Sequence, residues 1–181
     1  MKRREHGQSP DEVFDIVDEN DKVVGALPRS EVHQRRLNHR AIHIFWIRED
    51  GKLCLQRRSY AKDNSPGLLS SSCAGHVDSG EQYWNAAVRE LDEELGIKIN
   101  TQQLLEVDYA PTHPELGHEF VRSYLLKGNF VFNLHRPEVD SIVWRTPQEV
   151  VQWIKSEPTL FATPFIHLMG RIGVQKALAD A

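Results

Sequence analysis

Residues Gly75–Ile97 read GHVDSGEQYWNAAVRELDEELGI, which sets four glutamates, one arginine and two framing glycines at fixed offsets around one predicted helix. Glu90, Glu93 and Glu94 stand at i, i+3 and i+4, so on a helix they crowd one face within an arc of roughly 100°. Like charges so placed repel, at a few tenths of a kcal/mol per pair when exposed and more when buried. A hard dication such as Mg2+ reverses that sign, because it takes carboxylate oxygens and shares its shell with water and substrate phosphates. The ordinary explanation of an acidic run is a solvated helix face. Against it, Trp84, Ala87, Val88, Leu91 and Leu95 gather on an adjoining arc as a core-facing stripe, so the acids border a packed edge. Ala86 falls among the acids, where its small side chain would leave room for metal ions. Ser79 or Gly80 is placed to cap the start of the helix and Gly96 its end.

Taken together, Gly75, Glu81, Arg89, Glu90, Leu91, Glu93, Glu94, Gly96 and Ile97 resemble the Nudix box in full. The resemblance implies an α/β (α+β) fold, an α/β/α sandwich with a mixed central sheet. It also implies a pyrophosphohydrolase that cleaves a diphosphate linkage with Mg2+ or Mn2+. Carried over residue by residue, Glu90, Glu93 and Glu94 would ligate metal with the Gly75 carbonyl, and Glu90 or Glu94 would activate water. Arg89 would orient Glu90 or brace the helix against Glu81. The nucleoside, sugar or prenyl part of the substrate has no signature here.

Composition allows this reading. With 181 residues, 40% of them hydrophobic, the chain suffices for one good core, so residues 11–181 are expected to form a single domain after a flexible tail at 1–10. A net charge of −4 without any basic stripe argues against a nucleic-acid polymer as partner and leaves a small phosphorylated molecule. A homodimer is allowed but not indicated. Cys54 and Cys73 have neither metal-type spacing nor a disulfide framework and read as reduced, buried thiols of a cytoplasmic protein. MKRREHGQSP carries charge with no apolar run behind it, so it reads as neither signal peptide nor membrane anchor.

Outward from the box, 12–18 and 22–27 read as a hairpin, and 41–47 with 52–56 as a second one across Glu49-Asp50-Gly51. Residues 68–74 lead into the box as a strand or extended loop. Further strands are expected at 104–109, 120–126 and 141–144, then helices from Pro147 to about Ile154 and from Pro164 to about Leu178.

Arg57, Arg58 and Lys62 leave a strand ahead of Pro66-Gly67 and are candidates to hold substrate phosphates, an ordinary charged strand exit being the alternative. His33, His39, His43 and His76 lack helix-type ligand spacing, apart from His39 and His43 at a strand start where that geometry is lost, and His43 reads as a partly buried strand residue. Glu115 reads as a solvated loop acid. Glu119 is the preferred further acid, since Nudix enzymes commonly recruit one from outside the box and it opens a strand; Glu138 is the weaker candidate.

The segments EVFDIVDENDKVVGALPRSEVH, HRAIHIFW, QRRS and SCAGHVDSGE resemble the Nudix branch that includes isopentenyl-diphosphate isomerase and hydrolase-like relatives. That resemblance implies a metal held by histidines and glutamates. His39, His76 and Glu119 match, His33 is offset by one position, and Gly117 stands where a second acid belongs. The isomerase's proton-transfer cysteine is replaced by Ala74, and Cys73, one position earlier, would face away from the substrate because strand neighbours point to opposite faces. With a complete acidic box, these departures favour hydrolysis over isomerisation. A catalytically silent sensing module is the third reading, and one that would not need the intact acids.

Overall fold

The β-branched, apolar run AIHIFWI becomes the central strand of the molecule in a computed structural model that describes residues 12–181. In chain order the strands are β1 Val13–Val17, β2 Val23–Pro28, β3 His39–Ile47, β4 Leu53–Arg58, β5 Leu69–Ser70, β6 Cys73–His76, β7 Leu104–Ala110, β8 Glu119–Lys127 and β9 Val139–Arg145. The helices are α1 Arg29–Arg35, α2 Tyr83–Glu90, α3 Pro147–Ser156, α4 Thr163–Met169 and α5 Ile172–Ala179. β1 and β2 form a separate antiparallel hairpin, while the other strands make one mixed sheet.

β3 runs parallel to β8 along its whole length, from His39 opposite Glu119 to Ile47 opposite Lys127. Its other edge forks. The first half pairs antiparallel with β6, from Ala41–His76 to Ile44–Cys73, and the far end meets β4 only at Ile47–Leu53. β4 leaves toward β9 and β5, and β7 closes the other side against β8. This fork brings the beginnings of β3 and β8, His39 and Glu119, together with the end of β6, His76.

Strand alternation gives the sheet two apolar faces. Phe45, Leu55, Val121 and Leu125 pack against Val150 of α3, Phe165 and Leu168 of α4 and Val174 of α5. Ile42, Ile44, Trp46 and Tyr124 pack against Ala86, Ala87, Leu91 and Leu95. Burial of a leucine such as Leu91 contributes about 1.5–3 kcal/mol, which offsets the cost of holding acids on the neighbouring face. The result is the expected α/β/α sandwich with a mixed sheet.

Several expectations change. The element α1 is not anticipated from the sequence; it follows Pro28 and stops where Arg36 turns left-handed at φ 52°. The helix expected from Pro164 to about Leu178 is two, α4 and α5, interrupted at Gly170 and Arg171. Neither Ser79 nor Gly80 caps α2: Gln82 holds the cap position, the Ser79 hydroxyl donates to Asp15 Oδ1 at 2.6 Å and the Gly80 amide donates to Asp15 Oδ2 at 3.1 Å. The β1–β2 hairpin therefore anchors the loop before α2. Ala86, expected among the acids, is fully buried in the apolar cluster. The expected tail at 1–10 lies outside the described residues.

Candidate active site

The box helix is not regular to its end. After α2 the chain widens into a π turn at Leu91–Leu95, with the Gly96 amide reaching back to the Leu91 carbonyl. Gly96 adopts φ 67°, and the Ile97 amide also bonds Leu91 at 3.1 Å, so glycine closes the element from the left-handed region as expected. Such π turns are frequent at functional sites because they re-aim side chains. Here the turn carries Glu93 and Glu94.

Arg89 is the hub of the box. Its Nε and Nη2 donate to the two oxygens of Glu81 at 3.1 and 2.9 Å, and Nη2 also reaches the His76 carbonyl at 2.9 Å. Its Nη1 donates to Glu90 at 2.6 Å and to Glu93 at 3.2 Å. One planar guanidinium thus joins β6, the loop before α2 and two box acids, a task for which a lysine has neither the donors nor the fork.

Gly75 matters for a different reason. A Cβ built there would lie 2.1 Å from Glu90 Cδ, so the strand can pass the carboxylate only as glycine. Glu90, Glu94 and Glu138 each offer an oxygen within 4.8 Å of the others. All three are buried. Burial, reinforced by Glu94, Glu138 and Glu93, pushes the Glu90 carboxyl up to about 8 although Arg89 opposes the shift. Burial next to Glu94 also raises Glu138. Glu94 Oε2 accepts from Gln56 Nε2 at 3.0 Å and from the Ala74 amide at 3.2 Å, whereas its Oε1 has no hydrogen-bond partner among the described residues. A buried carboxylate oxygen with no hydrogen bond, beside two further acids, fits a hard divalent cation.

Lys62 stands at this cluster. Its buried ammonium donates to Glu138 Oε2 at 2.7 Å and lies 3.5 Å from Glu94 Oε1. Burial works against its charge, but Glu94 and Glu138 win and raise it. The sequence had suggested a phosphate ligand; the structure sets this cation on the carboxylates. Arg58 lines the adjoining cavity with Nε bonded to the Asn64 carbonyl at 3.0 Å. Arg57 donates to the Gly67 carbonyl at 2.8 Å and is not among the residues lining that cavity.

The cavity holds about 660 Å³ and is bordered by Glu90, Glu93 and Glu138 as well as by His33, His76 and Glu119. Glu119 engages histidines: its Oε1 lies 3.2 Å from His76 Nε2 and 3.6 Å from His39 Nε2. Burial would raise its carboxyl, but those two imidazoles overcome that and hold it well below the usual carboxylate range. The acid within ligand reach of Glu90 and Glu94 is therefore Glu138, because the Ser59 amide bonds its carbonyl at 2.9 Å where β9 begins alongside β4.

The histidine arrangement escaped spacing rules altogether. His33 from α1, His39 from β3 and His76 from β6 offer ring nitrogens within 4.8 Å of one another. His39 Nδ1 bonds the Leu37 carbonyl at 2.9 Å, which fixes the proton there and turns the Nε2 lone pair inward; the Nε2 atoms of His39 and His33 are buried without hydrogen-bond partners among the described residues. Burial, then the neighbouring His76 and His39, lowers His33 to about 4. Imidazole nitrogens without hydrogen-bond partners, gathered beside a carboxylate, fit a borderline transition-metal ion. His43 is buried, with Nδ1 2.8 Å from the Ser71 hydroxyl, outside this group. Cys73 lies in the apolar cluster, its thiol raised well above its usual range by burial, while Ala74 lines the cavity.

A mixed sheet between helical layers, with a glutamate-rich helix and turn pressed against a glycine strand, defines a class of small α/β domains built around an acidic box. A family model for the NUDIX domain matches residues 37–163, and the chain belongs to the Nudix family. It is 34% identical over 149 residues, 81% of its own length and 88% of the relative's, to an uncharacterised Nudix hydrolase of Nostoc sp.. It is 32% identical over 168 residues, 92% of this chain and 94% of the relative, to an isopentenyl-diphosphate Delta-isomerase of Serratia proteamaculans. The crystal structure of DR0079 from Deinococcus radiodurans superposes with a TM-score of 0.72 at 29% identity, covering 80% of this chain and 90% of that one.

Proposed function

We propose that the protein hydrolyses a diphosphate linkage in a small phosphorylated molecule with the help of Mg2+ or Mn2+. The observation that carries this reading is the buried trio Glu90, Glu94 and Glu138, whose Glu94 Oε1 makes no hydrogen bond among the described residues, beside a cavity large enough for a small molecule. These three would hold the metal, with the Gly75 carbonyl as a candidate fourth ligand. When bound, the ion supplies neutralisation of the diphosphate charge and acidifies water. The chain's own part is positioning and charge. Arg89 holds Glu90 and Glu93 in place, Gln56 and the Ala74 amide orient Glu94, and Arg58 is one cavity cation available to phosphate oxygens. Glu90 or Glu94 accepts the proton from the attacking water. A cytoplasmic setting suits the two free, buried thiols Cys54 and Cys73.

One observation favours a second reading. The His33, His39, His76 and Glu119 group, with the Serratia relative, suits isopentenyl-diphosphate isomerisation. Ala74 opposes it, because an alanine at the cavity wall transfers no proton, and the only nearby thiol, Cys73, is packed away. The test is a panel of nucleoside diphosphate derivatives, dinucleoside polyphosphates and prenyl diphosphates, each with Mg2+ or with excess EDTA, read by product mass; isopentenyl diphosphate is also run in D2O. Metal-dependent diphosphate cleavage supports hydrolysis. Steady interconversion to the dimethylallyl isomer, without cleavage of any substrate, overturns it.

A further inference from the structure

A third cluster of ligand-type atoms lies apart from the acidic and the three-histidine groups. His113 precedes the 3-10 turn Pro114–Leu116, Glu115 lies within that turn, and His167 comes from the last turn of α4. The sequence offers no hint of it, since His167 is 52 residues from Glu115 and Glu115 reads as a solvated loop acid. In the fold the two imidazoles stack with centroids 4.5 Å apart, and both turn Nδ1 to one carboxylate oxygen. Glu115 Oε2 lies 2.8 Å from His167 Nδ1 and 3.6 Å from His113 Nδ1.

The His167 contact alone would be an ordinary hydrogen bond. His113 is different. Its Nδ1 accepts the Glu115 backbone amide at 3.2 Å, so that nitrogen carries a lone pair rather than a proton. In the metal-free chain that lone pair is taken up by one long hydrogen bond from an exposed backbone amide, which a cation binding at Nδ1 has only to displace. Tetrahedral zinc, with ligands at about 2.0–2.2 Å, spaces its ligand atoms roughly 3.3 Å apart, and the two measured separations, 2.8 and 3.6 Å, straddle that value.

We propose that His113, Glu115 and His167 form a site for a zinc-type divalent transition-metal ion that clasps the 114–116 turn to α4. Two imidazoles and one carboxylate select zinc-like ions over Mg2+. On binding, the Nδ1 proton of His167 leaves to solvent or moves to Nε2, and water fills the remaining position. Pro114, Glu115 and Leu116 on one side and Thr163 and Pro164 on the other border the large cavity, so a filled site ties two of its walls together. This inference does not depend on the chemistry proposed for the cavity.

The experiment is equilibrium dialysis of the full chain against buffered Zn2+ with metal counted per chain, alongside amide exchange with and without Zn2+. Because the three-histidine group can also take zinc, the difference between proteins is what counts. The double variant His113→Asn, His167→Asn should bind one Zn2+ fewer per chain than wild type, and Glu115→Gln should weaken that one ion about tenfold or more, in line with losing a carboxylate at a metal site. In wild type, but not the double variant, Zn2+ should slow exchange in residues 113–117 and 163–169, and Mg2+ should not. Equal zinc counts for wild type and a double variant that melts as wild type does would overturn the site. Unchanged exchange in both segments at saturating Zn2+ would overturn the clasp.

Discussion

Gly75 and Glu90 show how one missing side chain sets the chemistry of another. With only 2.1 Å between the place of a Cβ and Glu90 Cδ, Gly75→Ala must push the carboxylate aside. A displacement of about 1 Å can cost on the order of 100-fold in rate, so the variant should remain folded by circular dichroism while kcat falls by about that factor. The Glu90 carboxyl itself gives a pH signature. Its folded value, pushed up to about 8 by burial, exceeds the ordinary 4.5 of the unfolded chain. Between these values the folded chain keeps a proton that the unfolded chain has lost, so the contribution of Glu90 to stability is present below about 4.5 and lost as the pH rises toward 8. Metal-free protein should therefore lose part of its thermal stability over that interval, and Glu90→Gln should flatten the slope; a wild-type slope in the variant would remove Glu90 as its source.

At the scale of elements, the box helix was the most legible part of the chain, and its departures have physical causes. The stripe Ala87, Leu91 and Leu95 and the Gly96 stop follow from periodicity and from the φ requirement of glycine, and both appear in the structure. The π turn does not follow, because periodicity reading assumes a regular helix and carries no signal for a widened turn at Leu91–Leu95. Lys62 lay in a loop after β4 that no local rule connects to Glu138, 76 residues away. The pair makes a prediction. Removing one partner of a buried ion pair typically costs about 3–5 kcal/mol, so Lys62→Met should destabilise the metal-free protein by an amount of that order in denaturant melts. The same change removes a competing cation and should tighten Mg2+ binding in calorimetry. Weaker Mg2+ binding would show that Lys62 supports the metal instead of competing with it.

For the whole molecule, the mixed sheet packed between helical layers was readable, since hydrophobic alternation sets strand faces and the box resemblance supplied the architecture. What could not be read was the forked pairing of β3, with β6 on one half of an edge and β4 at its end. That fork is what assembles His39, His76 and Glu119, to which α1 adds His33, and the β4–β9 pairing is what delivers Glu138 in place of Glu119 to Glu90 and Glu94. Long-range strand pairing has no signature in local spacing, which explains why three histidines without helix-type intervals still converge. In the proposed reaction these buried carboxylates support metal-dependent attack of water on a diphosphate. The most direct measurement is turnover of a cleaved substrate in 18O-labelled water with Mg2+, comparing wild type with Glu94→Gln. Wild type should place one 18O atom in one phosphate-bearing product, and the folded variant should show a kcat about 100-fold lower, comparable to losing one charge-stabilising group; a folded Glu94→Gln that turns over at the wild-type rate, or products free of 18O, would rule out this chemistry.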